Sequence, residues 1–173
     1  MWPDAATREA TTATTAGLET GPGGGRRIAP ARYHLTLPFL GEHPTDCGAV
    51  VAAARRAAAR VQAPAFELVL DRAGSFPIAS APCFLGCTIV PPGLQALWDA
   101  LERELAAESV AVRGVRERVP HVTVRRGVKP PWPDAPLPAP VRWPVRDFHL
   151  LRSDLLDGFA YEQLDRWPLA AAG

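Results

Sequence analysis

Two stretches decide the fold, Tyr33-His34-Leu35-Thr36-Leu37 and Pro120-His121-Val122-Thr123-Val124. Each alternates His and Thr with an apolar residue. In an extended chain residues two apart share a face, so both stretches predict strands with His and Thr on one side. Leu35, Leu37, Val122 and Val124 then point into the core. The second copy lies about half the chain after the first. Burying two imidazoles and two hydroxyls on sheet faces costs free energy without partners. A solvent-filled cleft between two similar halves satisfies both copies at once.

The neighbouring segments read as helices and strands in two batches. Pro3 and Asp4 open a helix predicted over 3–20, since proline suits a first turn and an acidic side chain suits a helix N-terminus. Its β-branched threonines count against it. Thr45 or Asp46 caps a second helix running to about Val61. Phe66, Leu68 and Leu70 alternate as a strand, and the apolar run Cys83 to Val90 reads as a buried one. Pro91-Pro92 opens an amphipathic helix with Leu94, Leu97, Trp98, Leu101 and Leu105 on one face. Val119 to Val124 is a strand, 130–140 a proline-rich loop and Trp143 to Leu151 a last long strand. Leu155 to Gly158 makes a turn before a closing strand from Phe159 to Trp167. The expectation is a single two-lobed α+β domain over residues 1–173, with small antiparallel-type sheets facing the cleft and helices outside.

Composition narrows the function. The chain has 173 residues, 47% hydrophobic and 21% charged, with a net charge of +1. Such a chain can bury a core and is not a disordered polyelectrolyte. Its near-neutral balance excludes a basic nucleic-acid tail, so any nucleic-acid contact is local. No run of about 18 apolar residues is present to span a bilayer. The polar, threonine-rich beginning has no signal-peptide pattern, and Cys47, Cys83 and Cys87 are an odd set that favours reduced thiols. A cytoplasmic location is therefore expected.

Two histidines facing one cleft suit paired proton transfer. Each titrates near ~6.5 when unperturbed, so one can act as base while the other acts as acid, at about 10²–10⁴-fold per proton transfer. Thr36 and Thr123 offer hydroxyls to an oxyanion. Arg126 can add a charge-assisted contact to a phosphate, and Arg125 follows His121 and Thr123 on the same strand face. The arrangement calls for no metal and no cofactor. His43 reads as a solvated loop residue, His149 as a half-buried strand position and Arg32 as a surface charge. Tyr33 and Phe39 could stack on a base, with core packing the plainer use of Phe39, which keeps the parity of Leu37.

Tyr33-His-Leu-Thr-Leu-Pro-Phe-Leu-Gly-Glu42 and Pro120-His-Val-Thr-Val-Arg-Arg126 resemble the paired signatures of the two-histidine phosphoesterases. More narrowly, the chain is similar to the RNA 2′,3′-cyclic phosphodiesterases, also called 2′-5′ RNA ligases. Trp2-Pro3-Asp4 resembles the start of that family's first helix, and Phe148 to Ser153 with Tyr161 to Leu169 resembles its C-terminal pattern. The resemblance implies a pseudo-two-fold fold and metal-independent hydrolysis of an RNA terminal 2′,3′-cyclic phosphate to a 2′-phosphate. Weak, reversible 2′-5′ ligation would accompany it. His121 would be the proton acceptor, His34 the proton donor, and Thr36, Thr123, Arg125 and Arg126 the substrate-binding residues, in a monomer acting on an RNA end or a nucleoside cyclic phosphate. The chain departs from the family pattern at Pro38 and Arg118. Met1 directly precedes Trp2, so the family's N-terminal strand is expected to be missing.

Three other readings share these residues: an RNA-end binding module without turnover, a phosphodiesterase for a small cyclic nucleotide or nucleotide-sugar phosphate, and a metal site at His34 and His121. The last needs a third ligand, and the nearest carboxylates outside the motifs are Glu42 and Glu117.

Overall fold

In the computed structural model, which describes residues 1–18, 25–43, 46–77, 82–113, 118–154 and 160–171, the threonines that count against the first helix turn out to build it. Helix α1 spans Ala5–Gly17, and the Asp4 carboxylate caps it by accepting the Thr7 N–H at 2.8 Å. Thr7, Thr11 and Thr15 form its buried face. The Thr11 and Thr15 hydroxyls each donate to the carbonyl one turn back, both at 2.7 Å. A hydroxyl satisfied within its own helix can be buried without a further partner, and this face packs toward the strand Ala135–Val145.

Five strands form the main sheet. They are β1 (Arg26–Arg27), β2 (Phe66–Ser75), β3 (Cys83–Gly86), β4 (His121–Arg126) and β5 (Ala135–Val145), in the spatial order β1-β4-β3-β2-β5 with every neighbouring pair antiparallel. A second sheet pairs β6 (Asp147–Asp154) with β7 (Ala160–Pro168), also antiparallel. Helix α2 (Gly48–Arg60) lies against helix α3 (Pro92–Ala107). Ala53, Ala54, Ala57 and Ala58 give α2 a small buried face, and Leu94, Leu97, Trp98, Leu101 and Leu105 are buried along α3 as their spacing predicts. Asp46 serves the start of α2, its carboxylate accepting the Gly48 N–H at 2.8 Å; Thr45 lies outside the described residues.

Four expectations are corrected. Residues 33–37 are extended but carry no strand ladder. Leu35 exchanges both backbone hydrogen bonds with Met1, at 2.7 and 3.0 Å, and a strand needs a neighbour along its length as well as alternation. Burial at that pairing pushes the Met1 amino group down to about 5. Residues 135–140, expected within a loop, belong to β5. It lies at the sheet edge, where a missing N–H costs no ladder bond, so Pro136, Pro138, Pro140 and Pro144 are admitted. Trp143 to Leu151 is not one strand, because Arg146 separates β5 in the large sheet from β6 in the small one. The apolar run from Cys83 leaves the sheet after Gly86, and Cys87 is buried just beyond it with a free thiol. The expected turn at 155–158 lies outside the described residues.

Candidate active site

Strand β4 keeps its alternation. Val122 and Val124 are buried, while His121, Thr123 and Arg125 are half-buried on the other face. Pairing with β3 sets His121 opposite Gly86 and Thr123 opposite Phe84. A Cβ at Gly86 would come within 3.2 Å of the Phe84 ring and 3.3 Å of the Pro120 carbonyl, so a larger residue opposite His121 would be crowded. The other imidazole sits on the extended segment that the Met1–Leu35 pairing holds, with Tyr33 and Leu35 buried on either side of it.

Both imidazoles are anchored alike. His34 Nδ1 lies 2.8 Å from the Arg32 carbonyl, and His121 Nδ1 lies 2.8 Å from the Val119 carbonyl, in each case two residues back. A carbonyl can only accept, so Nδ1 carries the proton and donates it. Each neutral ring therefore keeps its lone pair on Nε2, the nitrogen available to a ligand. An aromatic ring backs each one. Tyr161 lies 4.8 Å from His34 between ring centres, and Phe76 meets His121 edge-on at 4.8 Å with Phe84 at 5.7 Å.

Burial is the main influence that lowers the pKa of both histidines below the ordinary value, against a smaller upward pull from the carbonyl each one faces. The charges of the Met1 amino group, His121 and Arg32 lower His34 further, and that of Arg126 lowers His121. The charge of His121 is thus felt at His34 although half the chain separates them in sequence. Strand β4 sets Thr123 and Arg125 on the face that carries His121, and Arg126 follows at its exposed end. Thr36 is exposed two residues beyond His34.

Several neighbours of the pair were not legible as such in the sequence. Arg32, read as a plain surface charge, lends its carbonyl to His34 and holds its guanidinium 5.8 Å from the Tyr161 ring centre. Tyr161 and Phe76 reach the histidines by packing from outside their strands' ladders and Phe84 by the β3–β4 register, and no local pattern marks them. Phe39 departs from its core expectation and is 47% exposed; its backbone pairs with Arg113 in an isolated antiparallel bridge. Arg118 is tied to α3, 2.6 Å from both Asp99 and Glu102 and 5.6 Å from the Trp98 ring centre. His43 is exposed, and His149 lies in β6 with its imidazole 3.5 Å from Asp147. Among the described residues no three His, Cys, Asp or Glu side chains gather as a metal site would require.

The family model described as 2′-5′ RNA ligase superfamily matches residues 3–157. The chain belongs to the 2′-5′ RNA ligase superfamily. Among superfamily relatives, the RNA 2′,3′-cyclic phosphodiesterase of Escherichia coli strain K12 is 33% identical over 149 residues, covering 86% of this chain and 82% of that protein. The RNA 2′,3′-cyclic phosphodiesterase of Thermus thermophilus is 32% identical over 152 residues, covering 84% and 76%. The crystal structure of E. coli LigT in apo form superposes with a TM-score of 0.78 at 30% identity, covering 97% of this chain and 93% of that one. The same protein complexed with 3′-AMP gives 0.76 at 29%, covering 96% and 92%.

Proposed function

We propose that this superfamily member hydrolyses the terminal 2′,3′-cyclic phosphate of RNA to a 2′-phosphate, using His34 and His121 as an acid–base pair. The observation that carries the reading is the matched anchoring of the two imidazoles, each with Nδ1 tied to a carbonyl two residues back, with the charge of His121 felt at His34. The relatives named as RNA 2′,3′-cyclic phosphodiesterases supply the substrate class, and the LigT complex with 3′-AMP fits a nucleotide phosphate as ligand.

In this reading the cyclic phosphate lies between the two Nε2 atoms. Neutral His121 takes a proton from water as the water oxygen bonds to phosphorus. The bond from phosphorus to the 3′ oxygen breaks, and protonated His34 gives its proton to that oxygen. The phosphate stays on the 2′ oxygen. Burial favours the neutral form of both rings, which suits the base; an arriving phosphate anion favours the charged form, so that the acid takes up its proton from solvent as substrate binds. Thr36 and Thr123 donate to the non-bridging oxygens, and Arg126 and Arg125 balance their charge. If a 5′-hydroxyl of a second RNA replaces water, the same steps form a 2′-5′ linkage. The chain works as one monomeric unit over 1–173, each lobe supplying one His-x-Thr. Among the described residues no helix is long and apolar enough to cross a membrane, and the free thiols suit a cytoplasmic setting.

The test is an oligonucleotide ending in a 2′,3′-cyclic phosphate, incubated with the protein in EDTA and followed by phosphorus NMR. A 2′-phosphate product is expected. A 3′-phosphate product, absence of turnover or loss of activity with the chelator would overturn the reading.

A further inference from the structure

We propose that the Arg32 side chain is a positioning residue that makes His34 the acid of the pair. Its guanidinium rests on the Tyr161 ring, keeps that ring against the imidazole and favours departure of the proton from Nε2. This role rests on the hydrolytic reading above and adds to it a reason why two imidazoles anchored alike take different parts.

The two anchors match only in the backbone. His34 Nδ1 faces the carbonyl of Arg32 and His121 Nδ1 that of Val119, both at 2.8 Å. The side chains at those two positions differ in kind. Val119 is apolar, and the rings against His121 are Phe76 and Phe84. Arg32 is a cation, with Cζ 5.8 Å from the centre of the Tyr161 ring, and that ring stands 4.8 Å from His34 at an interplanar angle of 56°. Within about 6 Å a guanidinium is attracted to the face of an aromatic ring. Arg32 thus acts on His34 twice, directly through its carbonyl and by way of Tyr161 through its side chain.

Local structure holds residue 32 in place. Pro30–Arg32 form a 3₁₀ turn in which the Arg32 N–H donates to the Ala29 carbonyl at 2.8 Å and the Tyr33 N–H to the Pro30 carbonyl at 3.1 Å. The Trp2 indole donates to the Ala31 carbonyl at 3.2 Å, and Tyr33 is buried. Tyr161 comes from β7, where it lies opposite Ser153 of β6. The guanidinium therefore ties the hairpin that carries Tyr161 to the segment that carries His34.

Charge gives the contact a direction. The groups that face His34 are the Met1 amino group, Arg32 on the turn, Tyr161 on β7 and His121. Burial holds the Met1 amine down to about 5, so Arg32 is the permanent cation among them. In the acid step His34 begins as an imidazolium and ends neutral. A fixed cation repels the starting form and not the final one, and only an interaction that improves toward the transition state speeds a step. A base gains charge instead. Val119, Phe76 and Phe84 leave that gain to be met by the substrate phosphate, and Arg126, whose charge is felt at His121, stands five residues on at the exposed end of β4.

Substituting Arg32 leaves its backbone carbonyl in place, so a variant reads the side chain alone. Arg32→Met and Arg32→Gln remove the charge, and Arg32→Lys keeps it without the planar guanidinium. Thermal unfolding establishes that each is folded. NMR of the imidazole nitrogens follows both titrations in the free protein, and pH–rate profiles give kcat and KM on adenosine 2′,3′-cyclic phosphate. In the uncharged variants the His34 titration and the alkaline limb of the profile move to higher pH while the His121 titration stays. At the optimum kcat falls roughly 2–10-fold with KM little changed. Arg32→Lys brings the His34 titration back toward wild type. An unmoved His34 titration in the uncharged variants, equal movement of both histidines, or Arg32→Lys titrating like Arg32→Met overturns the role. The titrations need no turnover. If they behave as expected while the cyclic phosphate is not hydrolysed, the hydrolytic reading fails and the tie of Arg32 to His34 stands.

Discussion

Replacing Phe76 tests how the surroundings of His121 set its chemistry. The Phe76 ring packs on two others, 4.7 Å from Phe84 and 4.8 Å from His121 between centres. An aromatic contact contributes about 0.5–1.5 kcal/mol beyond the area it buries, so two of them make Phe76→Ala destabilising by roughly 1–3 kcal/mol. For a domain of this size each kcal/mol moves the melting temperature by about 2–4 °C. The functional effect is separate and has a sign. Burial is the largest influence holding the His121 pKa below its ordinary value, and water entering the vacated space raises it. If His121 is the base, it must be neutral to work. The acidic limb of the kcat/KM profile then moves to higher pH, so the variant loses more activity at pH 5.5 than at pH 8. Phe76→Leu keeps apolar cover and moves that limb less. The measurements are thermal unfolding and a full pH–rate profile on a cyclic phosphate substrate. A shift of the alkaline limb, or a profile that keeps its shape, would refute the assignment of His121 as base shielded by Phe76.

Other expected outcomes follow from the same contacts. Gly93→Ala places a Cβ 2.7 Å from Phe66 Cβ and 2.8 Å from its ring, an overpacking at the α3–β2 contact that costs about 1–3 kcal/mol and lowers the urea midpoint; an unchanged midpoint would show that Phe66 yields freely. His34, His121 and His149 all have folded pKa values below the ordinary one, chiefly through burial. The unfolded chain therefore binds protons more readily as pH falls below about 6.5. The stability present above that pH is lost on further acidification, and equal urea midpoints at pH 8 and 5 would contradict this. Tyr161→Ala uncovers His34 and shifts the alkaline limb of the pH–rate profile upward, the counterpart of Phe76→Ala; movement of the acidic limb would reverse the two roles.

What the sequence discloses is whatever its local pattern sets. The α3 face from Leu94 to Leu105 was readable because helix burial repeats along the chain. The two His-x-Thr copies were readable because alternation within four residues already assigns faces. Misreadings arose where partners are distant. Residues 33–37 alternate like a strand, yet only Leu35 finds a neighbour, Met1. The proline-rich stretch read as a loop belongs partly to β5, because an edge position tolerates what a central strand would not. The threonines of α1 looked unfavourable until back-bonded hydroxyls made them a buried face. The surroundings of the histidines were hidden for the same reason. Tyr161, Phe76 and Phe84 arrive through packing and register, which no short motif encodes.

The most direct test of the histidine pair is single-turnover hydrolysis of an RNA 2′,3′-cyclic phosphate by wild type, His34→Ala, His121→Ala and the double variant, each first shown to be folded. General acid–base catalysis predicts that either single variant slows the chemical step by about 10²–10⁴-fold, while binding of a 2′-phosphate product weakens far less. A single variant that keeps wild-type single-turnover rates would contradict the pairing of His34 with His121.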